Sequence, residues 1–155
     1  MYLLDTDVFS ITSPTSGFRT PEAEAWREWV ERNQSALYFS VATIMEVRFG
    51  MEKLKANGAS AKAERLRKWL AAAETLHRNR FISVTVEIAH KAGVLLYRAV
   101  ANGTMPGAED ALIAATADVR QLTVLSRNAK DMMALNAEWL NPLEAVPPDA
   151  LESLN

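Results

Sequence analysis

Five carboxylates in this chain stand where short apolar runs end or where helices should begin. Asp5 and Asp7 follow Tyr2-Leu3-Leu4, and Glu46 follows Leu37-Tyr38-Phe39-Ser40-Val41. Asp110 follows the Pro106-Gly107 break, and Asp131 follows Ser126-Arg127-Asn128. In an open parallel α/β sheet such landmarks share one edge, just beyond the carboxyl ends of the strands. Asp5, Glu46 and Asp110 are therefore expected to converge although they lie far apart in sequence. Two carboxylates ~4 Å apart repel by roughly 4 kcal/mol at an effective dielectric of ~20. A hard divalent cation relieves that repulsion, since magnesium and manganese prefer carboxylate and water oxygens. Proton sharing within a carboxylate pair is the other solution. A cation so held acidifies bound water and neutralises charge on a phosphate oxygen, which is phosphodiester chemistry. A plainer role competes: acids in a first helical turn favour the helix dipole by ~0.3–1 kcal/mol each.

No other constellation rivals the acids. His77 and His90 fall inside helical stretches, there is no cysteine, and neither a G-x-x-x-x-G-K-[ST] loop nor a G-x-G-x-x-G turn is present.

The acids need a scaffold, and its outline is readable. Tyr2–Leu4 has the length and composition of a strand buried on both faces. Ser13-Pro14-Thr15-Ser16-Gly17 is a loop, and Thr20-Pro21-Glu22 opens a helix that should stop near Asn33. Its Trp26 and Trp29 share one face and belong to the core. A second strand over 37–41 precedes a helix from about Thr43 to Asn57-Gly58, with Ile44, Val47, Met51 and Leu54 as its apolar stripe. Ser60 opens another helix carrying Leu66, Trp69, Leu70, Ala73 and Leu76, so the two should form an αα-hairpin. Residues 81–84 are a third strand, and Thr85 caps a long helix ending at Asn102-Gly103. The segment 109–117 is apolar nearly all round, hence a buried helix. Leu122–Leu125 is a fourth strand, a short helix runs from Lys130 to Leu135, and either Trp139-Leu140 or Ala145-Val146 supplies the last strand. Strands alternating with helices imply a parallel sheet covered on both sides.

Apolar residues make up 49% of the 155, spread along the chain, which suits one ordinary globular domain. The lack of cysteine excludes disulfides and thiolate metal sites, and no apolar run approaches ~18 residues, so a cytoplasmic protein without membrane contact is expected. The net charge of −2 argues against a dedicated DNA-binding domain. Its distribution is uneven: nine Lys and Arg against three acids lie between Arg48 and Arg80, and eight against sixteen elsewhere. Such a segment either holds phosphates or is a solvated helix face.

At these residues the chain resembles PIN-domain ribonucleases, and more narrowly the VapC/FitB-like toxins of type II toxin–antitoxin pairs. Residues 3–8, 40–50, 109–117 and 123–131 carry the four motifs in order, and Asn141-Pro142 resembles the closing strand. The resemblance runs from Met1 to Val146, which implies a single PIN domain over 1–146 and a C-terminal tail over 147–155. It implies a three-layer α/β/α sandwich whose central parallel sheet has strand order 3-2-1-4-5. It further implies Asp5, Glu46 and Asp110 as catalytic ligands of Mg²⁺ or Mn²⁺, with Asp131, Asn128 and Asp7 as further candidates. Thr6 and Ser126 would be hydroxyls that orient the acids, and Arg48 and Arg127 would hold substrate phosphates. The implied activity is hydrolysis of RNA by a metal-activated water, slowing translation. The implied partners are a cognate antitoxin that blocks the cleft, DNA only through that antitoxin, and a second copy of the chain.

Two positions depart from the family pattern: Asp7 stands where Asn or Ser is usual, and Asn128 where Asp is frequent. An amide accepts a hydrogen bond but adds no charge. Two other functions compete. Asp5-Thr6-Asp7-Val8 also resembles the haloacid-dehalogenase phosphatases, with Asp5 as nucleophile, Asp7 as general acid and Ser126 in a second motif, but the lysine and paired acids of that family have no place here. A PIN fold that only binds, without catalysis, is the other.

Overall fold

Tyr2–Leu4 forms the central strand β1 because both of its faces are covered. Leu3 faces one helical layer and Leu4 the other, and both are fully buried. In the computed structural model, which describes residues 1–149, it is followed by α1 (Thr6–Ile11), α2 (Pro21–Arg32), a 3₁₀ turn at Gln34–Ala36 and β2 (Leu37–Ser40). Then come α3 (Val41–Ala56), α4 (Ser60–Leu76), β3 (Phe81–Ile82), α5 (Val86–Ala101) and α6 (Ala108–Arg120). The chain closes with β4 (Thr123–Leu125), α7 (Ala129–Ala134) and β5 (Trp139–Leu140). All pairings are parallel and the order is β3-β2-β1-β4-β5, as expected, with Leu4 beside Phe39 on one side and Leu125 on the other.

The sheet divides two cores. Helices α5, α6 and α7 pack on the face of Leu3 and Val124. Helices α1 to α4 pack on the face of Leu4, Phe39 and Leu125, where Trp26 and Trp29 stack with ring centroids 5.4 Å apart. Both tryptophans are core, as their spacing implied.

Several boundaries differ from the sequence reading. No helix was expected at 6–11; α1 starts at once because the Asp5 carboxylate caps it through Thr6 N. Ser40 ends β2 and its hydroxyl accepts from Ala42 N, so α3 begins at Val41 rather than Thr43, which moves Glu46 into the second turn. β3 is two residues rather than four, and of the two candidates for the last strand, Trp139–Leu140 pairs with β4 while Ala145-Val146 does not. Asp149, in the expected tail, accepts a hydrogen bond from Asn33 Nδ2 at 2.6 Å. The rest of that tail, 150–155, lies outside the described residues.

Candidate active site

The strand order reverses direction at β1 and β4, and the crevice beyond their carboxyl ends is where a ligand is expected. Asp5 lies there as the first residue past β1. Its backbone N–H extends the ladder to Leu125 O at 2.9 Å, so the carboxylate has little freedom to move. It is 4% exposed. Oδ1 accepts from Thr6 N at 2.6 Å, and Oδ2 accepts from the fully buried Ser126 hydroxyl at 2.6 Å. Ser126, just past β4, accepts from Asn128 N at 2.9 Å, which ties the start of α7 to the same point.

Glu46 and Asp110 reach this edge by different routes. α3 follows β2, so its N-terminal half starts at the strand ends, and Glu46 Oε2 accepts from the Thr6 hydroxyl. α6 precedes β4 and runs back against the strands, which brings its first turn to the same edge. There Asp110 Oδ2 accepts from Gly107 N at 3.0 Å. A Cβ on residue 107 would stand 2.9 Å from that oxygen, so glycine is what lets the acid fold back onto the helix start.

These groups repel one another. Burial, with the charges of Asp7 and Asp110, pushes the Asp5 carboxyl up to about 7 despite the Ser126 and Thr6 bonds that oppose the rise. Burial likewise raises Glu46, with Asp110, Glu109 and Asp7 adding to it. Asp110 is raised by burial and by Asp131, Glu109 and Asp7, against its bond from Gly107. Glu109 is a member of this field that the sequence reading quoted only as part of a motif; it borders a cleft with Glu46, Met45 and Phe49.

The remaining candidates separate. Asp7 turns toward Arg127: its Oδ2 accepts from Arg127 N at 3.2 Å and Nε at 3.1 Å, and burial still raises its carboxyl. Its other oxygen, Oδ1, is buried and has no hydrogen-bond partner among the described residues. Asn128 is spent as a helix cap, with Oδ1 accepting from Asp131 N at 3.4 Å and Nδ2 donating to Asp131 Oδ2 at 2.7 Å. Asp131 Oδ1 has no hydrogen-bond partner among the described residues, and the Asp131 charge adds to the rise of Asp110. Arg48 sits two residues from Glu46, hence on another face of α3, and pairs with Glu52 at 3.2 Å in solvent. Much of the basic segment is likewise solvated, with Arg67 paired to Glu64 and Lys55 to Glu52.

Among the described residues no three acidic or imidazole groups lie close enough to enclose one ion. Thr6, Ser126 and Gly107 each draw an acid toward protein donors. The donor set nonetheless suits a hard dication: it is all oxygen, and among the described residues Glu46 Oε1 and Asp110 Oδ1 have no hydrogen-bond partner and no lysine or arginine pairs with Asp5, Glu46 or Asp110.

A family model described as PIN domain matches residues 2–134. Among solved structures the chain is similar to FitAcB from Neisseria gonorrhoeae, at 27% identity and a TM-score of 0.77, over 92% of this chain and 98% of that one. It is also similar to FitAB bound to an IR36 DNA fragment (26%, TM-score 0.72, 92% and 96%). VapBC2 from Rickettsia felis, bound to a DNA fragment from its promoter, shares the fold (20%, TM-score 0.66, 90% and 97%). No curated protein sequence matches the chain.

Proposed function

This chain belongs to the PIN domain family, and on that premise we propose that it is a metal-dependent endoribonuclease, the toxin of a VapBC-like pair, which cleaves RNA and so inhibits translation. The observation that carries the reading is the approach of buried Asp5 and half-buried Glu46 and Asp110 to one another at the β1–β4 crevice, close enough for their charges to raise one another, with no protein cation paired to them among the described residues. PIN domains are generally nucleases, and a cleft of carboxylates repels RNA unless a cation joins them.

Asp5, Glu46 and Asp110 would hold Mg²⁺ or Mn²⁺, with Asp131 within reach of Asp110. Bound there, the ion would supply a nucleophile from water at neutral pH and neutralise charge on the scissile phosphate. The Ser126 hydroxyl and Thr6 N fix the Asp5 rotamer, and the Thr6 hydroxyl holds Glu46 from the side away from its free oxygen. Hydrogen-bond partners of this kind set the orientation of metal-binding carboxylates. Because the Asp5 carboxyl sits at about 7, roughly half of it is protonated at pH 7, and that fraction would have to lose its proton for Asp5 to hold the ion.

The FitAB and VapBC likenesses support an antitoxin partner, with DNA contacted through that partner. A second copy is supported by the outer face of α5, where Val86, Val94, Tyr97 and Val100 are exposed, Tyr97 at 73%. An RNA substrate implies action in the cytoplasm; no helix of the described residues is long and apolar enough to cross a membrane.

The test is cleavage of single-stranded RNA with and without chelator. Attack by water leaves the 2′-hydroxyl uninvolved, so the expected products lack a 2′,3′-cyclic phosphate and vanish with EDTA. Chelator-resistant cleavage ending in cyclic phosphate contradicts the reading. RNA that stays intact with either metal favours a PIN fold that only binds.

A further inference from the structure

Beside the acids lies a cavity of about 450 Å³, between the loop 12–20 on one side and α3 and α4 on the other. Thr6 and Glu46 form one end of it, so it opens directly onto the candidate active site. Arg127 also lines it, and among the described residues it alone is both paired to a carboxylate and laid over an aromatic ring. Asp7 Oδ2 accepts from Arg127 Nε at 3.1 Å, and the guanidinium carbon rests 4.5 Å from the centre of the Phe18 ring. Phe18 is itself anchored, since its carbonyl accepts from Arg27 Nη2 at 2.6 Å and Arg27 Nε also holds Ile11 O at 3.1 Å. The guanidinium is thus fixed at one edge and on one face. Its outer edge, Nη1 and Nη2, has no hydrogen-bond partner among the described residues.

A guanidinium with its outer fork free matches two oxygens of a phosphate, and prior fixing lowers the entropy lost on binding. The cavity is lined by Phe18, Ser10, Ser13 and Lys62 together with the apolar Val47 and Leu66, and Lys62 has no ion pair among the described residues. That is the lining of a site for one unstacked base and its phosphate. Resting on the endoribonuclease reading, we propose that this cavity is a nucleotide subsite flanking the scissile bond. Arg127 clamps the phosphate there, and Asp7 is the positioning residue that aims Arg127 rather than a metal ligand.

The test is binding of a fluorescein-labelled single-stranded RNA, followed by anisotropy in the otherwise native chain with Ca²⁺, a hard oxygen-seeking cation of looser geometry, in place of Mg²⁺ so that the probe is not cut. Arg127→Ala is expected to weaken binding about tenfold and to lower the slope of log Kd against log salt by about 0.7, one phosphate contact on a single strand. Asp7→Asn should weaken RNA binding severalfold while lowering Mn²⁺ affinity, read by electron paramagnetic resonance on the otherwise native chain, by far less than Asp110→Asn does, because it removes a nearby charge and not a ligand. Arg127→Lys, which keeps the charge but not the fork, should recover the salt slope and only part of the affinity. Folded variants with the parent Kd and slope overturn the subsite, as does a loss of Mn²⁺ affinity on Asp7→Asn as large as that on Asp110→Asn. If the native chain cuts RNA while these variants bind it normally, the subsite alone fails; if it neither cuts nor binds RNA, the endoribonuclease reading fails with it.

Discussion

Asp5→Asn is expected to abolish RNA cleavage and, in the metal-free protein, to raise the melting temperature. The carboxylate is 4% exposed, and burial with neighbouring acids lifts it to about 7. An unfolded aspartate titrates at ~4, so folding without a cation lifts this carboxyl to about 7, which costs the folded state on the order of a few kcal/mol at pH 7. The sign follows from the raised value. The contribution of Asp5 is fully favourable below the unfolded pKa and is lost as pH rises through about 7. Metal-free native protein should therefore gain stability between about pH 8 and about pH 5, and Asp5→Asn should remove part of that slope. An amide still accepts from Thr6 N, and the Ser126 hydroxyl can turn to accept from its NH₂. Activity moves the other way. A lost ligand removes several kcal/mol of charge stabilisation from the transition state, a rate loss of about a thousandfold or more. Thermal scans in EDTA across pH, paired with RNA cleavage in Mg²⁺, check both halves. A variant that is active, or no more stable than the native chain at pH 8, contradicts them.

Trp26→Ala is expected to cost the most stability of any single change described here. The side chain is fully buried, stacks on Trp29, and its Nε1 donates to Val8 O at 3.0 Å. Truncating a buried Trp costs about 3–5 kcal/mol, which for a domain of this size lowers the melting temperature by roughly 10–15 °C. The damage falls on α1, six residues long and too short to hold itself. α1 carries Thr6 and Asp7 on a turn capped by Asp5, so cleavage should fall with the fold. Trp26→Phe keeps a ring in the stack and gives up the hydrogen bond, and should retain most activity with a smaller loss of melting temperature. Equal melting temperatures for the native chain and Trp26→Ala, by calorimetry, would show that the tryptophan does not secure α1.

Much of this was readable beforehand, and the reasons are particular. The parallel sheet and the gathering edge follow from alternation of strands and helices, the strand order follows only from the family resemblance, and Asp5, Glu46 and Asp110 each occupy a landmark of that edge. Helix α1 escaped notice because Thr6-Asp7-Val8-Phe9-Ser10-Ile11 is too short and too rich in poor helix formers to announce itself. It exists because Asp5 caps it and the tryptophans cover it. Asp7 was ambiguous for a similar reason: its partner lies 120 residues away, and only the adjacency of β1 and β4 brings Arg127 to it. Gly107 had a signal, the Pro-Gly break before an acidic helix start, but its role beside Asp110 needed coordinates. Phe18 had none, sitting in a loop of turn-forming residues.

The most direct test of the central claim is to place manganese in crystals of the native chain and locate it by anomalous scattering. The expected result is a peak bounded by the carboxylates of Asp5, Glu46 and Asp110 at the carboxyl ends of β1 and β4, lost in Asp110→Asn. Manganese bound elsewhere, or those three side chains unmoved and unliganded at saturating metal, would contradict it.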